Sequence, residues 1–219
     1  MSRRPGVSAS LPVLLLAILW SPTASAFASS RSEPPAPLRL VAGPRCEKGE
    51  KALDVARMEL AGIEIQVKPL PAADWEARME RQAPGMGQSL RKNDGGPAPF
   101  QVFLLSLANR SREKLQFQPG NVVRIMDQKQ EDHPVDYTDL YRFLEEQGKR
   151  PEAVDRIKNV FFDSSLTLEP EEAAERLLIF KEPGPKECRK SLSLLVSNFQ
   201  VGTETYGAVL PFHVEKARK

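Results

Sequence analysis

Histidine and cysteine, the residue types most often recruited for catalysis and metal binding, number only two each in this 219-residue chain. A hydrolytic triad needs a base, usually histidine, beside a serine or cysteine. Neither His133 nor His213 is accompanied by a Gly-x-Ser-x-Gly elbow, and His213 lies near the chain end in a β-type stretch where it is expected to point outward. Zinc sites want clustered Cys and His at ligand spacing. Cys46 and Cys188 have no such neighbours. Met79, Met86 and Met126 are soft enough for copper, but no Met-x-Met or His-x-Met spacing occurs, and Met58, Met79 and Met126 fit core filling better. Gly85-Met-Gly87 and Gly95-Gly96 lack the helix and lysine that a phosphate loop requires. Glu169, Glu171 and Glu172 read as a solvated turn, although carboxylate pairs of glycosidase type meet only in the fold. The expectation is a non-enzymatic protein with no cofactor.

The densest group of oxygen and nitrogen ligands is Glu131 to Asp139, in which Asp132, His133 and Asp136 are the metal candidates, for calcium or a transition ion. The same carboxylates have a plainer use: Asp136 and Asp139 stand where a helix N-terminus favours negative charge, and Asp132 and Pro134 suit a turn. Tyr137, Leu140, Tyr141 and Leu144 recur at helical spacing up to Gly148. The aromatics Tyr137, Tyr141 and Phe143 on that helix either form a contact surface or close over a core.

These residues are carried by a pattern that is mainly β. Ile63, Ile65 and Val67 alternate with polar residues, predicting a half-buried strand ended by Pro69 and Pro71. A short helix follows over Ala72 to Arg81, capped near Asp74, with Trp75 and Met79 on one side. Gln82 to Pro99 is rich in Gly, Pro, Asn and Asp and reads as a mobile loop. Phe100 to Asn109 is apolar enough to be a strand buried on both faces. Further strands are expected at Leu115–Gln118, Val122–Met126, Leu166–Leu168, Leu177–Phe180, Leu192–Phe199 and Val209–Val214. A helical insertion at about 136–160 contains a second short helix opened by Pro151, with Val154 and Ile157 on one face, and is expected to pack over one end of the sheets. Short strands with Pro, Gly and Asn turns argue for a sandwich or barrel.

The N-terminus reads as an export signal. Arg3 and Arg4 precede the apolar run Leu11–Trp20, and small residues around Ala26 offer cleavage after Ala26 or, second, after Ala28. The run is short for a membrane span, so no stable anchor is expected once it is removed. Residues 1–26 are therefore assigned to the signal, 27–45 to a Pro/Ser-rich linker, and 46–219 to one sandwich domain. The chain carries 31 basic and 29 acidic residues; loss of Arg3 and Arg4 leaves 29 of each. Such a balance provides no field toward nucleic acid, and the basic tail Lys216–Lys219 reads as a frayed end. In an oxidising, secreted or periplasmic compartment Cys46 and Cys188 are enough for one bridge; two free thiols or an intermolecular link are the alternatives.

Phe100–Asn109 followed by Arg110-Ser111 and Leu115-Gln-Phe117 resembles the early strands of bacterial exported immunoglobulin-like domains, in which an apolar strand ends in an Asn-x-Ser turn. Leu166–Leu168, Glu169-Pro170-Glu171, then Leu177–Phe180 is similar to their later hairpin, without the Gly such turns often carry. The resemblance covers about Phe100 to Val214 and implies an immunoglobulin-like sandwich, here with a short helical insertion, that binds or braces another protein or envelope component. The competing expectation is a periplasmic small-ligand or metal carrier with a pocket beneath the inserted helices and His133 nearby. Asn109-Arg110-Ser111 is also an N-glycosylation sequon.

Overall fold

The computed structural model describes residues 38–42, 54–96, 98–161, 164–183 and 191–216. The signal, both cysteines, most of the linker and the end of the basic tail lie outside them. Eleven strands occur among the described residues: β1 (Leu38–Ala42), β2 (Ala56–Leu60), β3 (Ile63–Leu70), β4 (Phe100–Asn109), β5 (Leu115–Phe117) and β6 (Val122–Met126), then β7 (Gln130–Asp132), β8 (Leu166–Leu168), β9 (Ala173–Lys181), β10 (Ser191–Val201) and β11 (Glu204–Lys216). They form two antiparallel sheets. One has the order β2-β3-β4-β9; the other runs β1-β11-β10-β5-β8, with β6 also paired to β10 and β7 to β6. Ile63, Ile65 and Val67 of β3, Phe103, Leu105 and Leu107 of β4, and Leu192, Leu194, Val196, Leu210 and Phe212 of the facing sheet enclose one core.

The opposite parity of β4 and β9 is buried as well. Phe100 and Val102, with Leu177 and Ile179, face a second core closed by α1 (Ala72–Gln82), α2 (Met86–Ser89), α3 (Tyr137–Glu146) and the 3-10 helix Pro151–Ile157. Strands sandwiched between a sheet and a helical layer carry apolar residues at every position, which is why β4 reads as a continuous run. The helical insertion thus packs, with α1 and α2, on the outer face of the four-stranded sheet at its Phe100–Val102 and Leu177–Ile179 end, leaving the Ser106–Ala108 end uncovered. Trp75, Met79, Met86, Leu140, Leu144, Val154 and Ile157 are each at most 1% exposed.

Several expectations are corrected. Leu38–Ala42, within the stretch read as linker, pairs with β11 over five residues. β3 continues through Pro69 to Leu70. The hairpin closure at Leu60↔Ile63 directs the amides of odd-numbered β3 residues toward β2, and β2 begins only opposite Val67, so Pro69 leaves no ladder bond unmade. Asp74 lies in the first turn of α1 behind Pro71 and favours the helix dipole without capping it. The loop expected at Gln82–Pro99 contains α2, whose Met86 and the following Leu90 are buried; Glu80 Oε1 and Oε2 accept from the amides of Gly85 (2.6 Å) and Gly87 (3.2 Å). Four helical residues are too few for periodicity to register. His213 has the expected outward register, shared with Val209 and Pro211, but is 4% exposed and so is covered there.

The β2–β3 hairpin turns on Ala61 and Gly62, both at positive φ (52° and 73°). A Cβ at Gly62 would press on Ser111 atoms at 3.1 Å in addition to straining the positive φ. Ala61 has no such conflict but holds a left-handed conformation that alanine disfavours. Ala61→Asn, which creates the Asn-Gly pair preferred by two-residue hairpins, is expected to raise stability by about 0.5–1 kcal/mol. Urea unfolding at unchanged slope checks it; an equal or lower midpoint contradicts the account of the turn.

Candidate functional site

The aromatic surface is built on α3. Asp136 closes the helix N-terminus by accepting from the Asp139 amide at 2.8 Å, and Gly148 at φ 64° turns the chain out. Between these ends Leu140 and Leu144 point into the helical layer, and the same winding leaves Tyr137 and Tyr141 half-buried at its rim. Their rings stand 6.1 Å apart with planes inclined by 36°. Tyr137 is fixed from the 3-10 helix: its hydroxyl donates to Asp155 Oδ1 (3.1 Å), and Lys158 Nζ sits 4.6 Å from the ring centre while pairing with Asp155 at 2.7 Å. Loss of hydration and the bond to Asp155 push the Tyr137 phenol up, so it stays neutral. Hydrogen bonds from Lys158 and Tyr137 hold the Asp155 carboxyl below the usual range.

Phe143, also half-buried, packs edge-on against Phe100, with ring centres 5.0 Å apart, and like Tyr137 it packs against the second core. Sequence reading missed Asp155 and Lys158. They share a face one turn apart, but only the fold turns that face toward α3.

The proposed metal ligands do not converge. Asp132 Oδ2 accepts from Arg124 at 2.5 Å, Asp136 serves as the cap of α3, and His133 is exposed. Among the described residues no group of three His, Cys, Asp or Glu side chains is positioned to hold a metal ion. Met79 and Met86 lie in the helical layer, whereas Met126 lies between the sheets.

Two buried polar side chains tie the sheets together. Arg124 occupies the inward parity of β6 between Val122 and Met126 and is 1% exposed. Its guanidinium reaches across the sandwich, donating to Gln101 Oε1 of β4 (2.8 Å) and the Lys181 carbonyl of β9 (2.8 Å), and it lies 4.8 Å over the Phe180 ring. A charge at an inward position of an alternating strand was its sequence signal. Asn109, fully buried at the end of β4, donates through Nδ2 to the Glu113 (2.8 Å) and Leu168 (3.1 Å) carbonyls. Its Oδ1 accepts from the Ser111 amide (3.0 Å) and hydroxyl (2.6 Å). The nitrogen that a glycan would occupy therefore has both hydrogens engaged in the interior.

Outside the cores, a shallow open recess of about 210 Å³ lies on the uncovered part of the four-stranded sheet. Its floor is Ser106, Ala108 and Ala173, with Glu64, Gln66 and Glu175 around it. Glu175 is engaged by Arg78 (2.6 Å) and Ser106 (3.2 Å). Beneath the helices, where a carrier pocket was expected, buried apolar side chains fill the space. Among the described residues no helix is long and apolar enough to cross a membrane. Scanned against family models, curated proteins and solved structures, the chain matches none.

Proposed function

We propose that this chain is an exported, non-enzymatic binding or accessory module of immunoglobulin-like type, which recognises a protein or envelope component through the Tyr137–Tyr141 face of α3. One observation carries the reading: two tyrosines remain half-exposed side by side while Asp155 and Lys158 hold one of them in place. Rigid, partly exposed aromatics lose little entropy on binding and supply much contact area. A reversible metal or small-ligand carrier has less support, because Asp132 and Asp136 are committed elsewhere and the helical layer is filled.

The strand neighbours support the immunoglobulin-like part. β4 lies between β3 and β9, and β10 lies between β11 and the β5/β6 pair. These are the neighbours that the A, B and E strands on one side and the C, F and G strands on the other have in such domains. β2 and the helical layer are additions to that pattern. A photo-crosslinking residue placed at Tyr141 in cells exporting the protein is expected to yield one discrete adduct, lost on Tyr137→Ser with export unchanged. Absence of an adduct at Tyr141, or its persistence in Tyr137→Ser, removes α3 as the recognition face.

Export through cleavage after Ala26 and a Cys46–Cys188 bridge belong to the same reading. β1 ends at Ala42 opposite Phe212, and β10 begins at Ser191 opposite His213 on the other side of β11. Two strand spacings put these anchors about 10 Å apart. Cys46 follows its anchor by four residues and Cys188 precedes its own by three, leads long enough to meet. Intact mass of the exported protein is expected to begin at Phe27 and lie about 2 Da below the dithiol form, with reduction lowering stability by about 2–4 kcal/mol. Two alkylatable thiols without prior reduction would contradict the bridge.

A further inference from the structure

We propose that the edge of β11 over Glu204–Pro211, unpaired among the described residues, is a self-association surface whose occupant is β11 of a second copy of this chain, running antiparallel about a two-fold axis at Gly207. β1 covers β11 only from Phe212 to Lys216, so among the described residues no strand pairs the edge from Glu204 to Pro211. The two-residue hairpin closes at Val201↔Glu204, which directs even-numbered β11 amides and carbonyls to β10 and those of Thr205, Gly207 and Val209 to the open side. Pro211, which has no amide hydrogen, falls on the same side and ends the run. These groups are symmetric about Gly207. Antiparallel self-pairing sets Gly207 opposite its own copy and Thr205 opposite Val209, so each outward amide meets a carbonyl.

Edges left open in monomers are normally guarded by charge. The free edge of the four-stranded sheet presents Arg57 and Glu59 on β2, both solvent-accessible, and β7 carries the exposed Glu131. The β11 edge has no charged side chain at Thr205, Gly207 or Val209. Val209 is instead 49% exposed, the large hydrophobic most open to solvent among the described residues. It is also the end of an apolar row: Val209 pairs with Leu195, and Leu195 with Val123, on the face opposite the core between the sheets, which none of the helices among the described residues packs against. Ile125 and Pro211 flank Ser193 in the next row. Edge pairing between two copies joins both rows into one surface across the axis. That favours a second copy over an unrelated strand, which would satisfy the amides but not continue the row.

Sedimentation of the exported protein from about 1 to about 100 µM is expected to show a monomer–dimer equilibrium. Val209→Lys should weaken it at least about tenfold, while Val123→Lys, two strands from the edge, should weaken it less than about threefold. Gly207→Cys should yield a disulfide joining the β11 peptides of two copies at that position, since hydrogen-bonded antiparallel partners lie about 5.5 Å apart at Cα. Thermal unfolding accompanies each variant; if Val209→Lys lowers it, Thr205→Lys on the same exposed edge takes its place. A protein that stays monomeric throughout, a dimer weakened as much by Val123→Lys as by Val209→Lys, or a Gly207→Cys protein without the self-linked peptide overturns the proposal.

Discussion

Arg124→Ala is expected to lower stability by about 4 kcal/mol, seen as a fall in melting temperature of about 8–16 °C. The guanidinium is 1% exposed and reaches three acceptors belonging to both sheets, so its removal takes the donor from the partly buried Gln101 amide oxygen and Lys181 carbonyl. Truncation also opens a void against Phe180. Asp132→Ala should cost about half as much, because Asp132 is 32% exposed and water partly compensates the cation it abandons. Arg124→Met, which keeps the volume and removes the charge, should fall between the two. An Arg124→Ala protein that melts within about 2 °C of the parent would mean that the cross-sheet bonds contribute nothing net.

Asn109→Ala is expected to cost about 3 kcal/mol, or about 6–12 °C. One side chain joins β4 to the turn at Ser111–Glu113 and to β8, using every hydrogen-bonding position that a carboxamide has. Alanine removes the donor to the buried Leu168 carbonyl and leaves the Glu113 carbonyl only its bond from the Ser111 hydroxyl, and Asn109→Asp should be no milder, since it keeps the acceptors, loses both donors and buries a charge. The same geometry bears on the sequon. Expressed in a glycosylating host, the folded protein is expected to carry no glycan at Asn109, read from intact mass. A glycan there in protein of parental melting temperature would contradict the buried position.

Much of the architecture was legible in local sequence. The bounds of β4, β6 and β8 follow from apolar alternation or density alone, and the cap at Asp136 and the stop at Gly148 from side-chain chemistry at helix ends. What was misjudged depended on partners distant in sequence. Leu38–Ala42 is a strand because β11 offers it an edge; taken alone, five residues beside a Pro-rich stretch carry too little pattern. α2 exists because Glu80 binds its first amides and Met86 finds a core, and neither condition is visible in a Gly-rich segment.

Composition by itself determined how few histidines and cysteines any site could draw on, two of each, since side-chain types can be counted. Spacing determined that sheets would dominate, because period-two burial is a local property of the chain. Tertiary structure alone decided that Asp132 pairs with Arg124, that Phe143 packs on Phe100 while Tyr137 is held by Asp155 and Lys158, and that the helices pack against the outer face of the four-stranded sheet. The physical reason is common to all three. Pairing, burial and exposure are set by what lies across a few ångströms of space, and in this fold those neighbours come from segments separated by tens of residues.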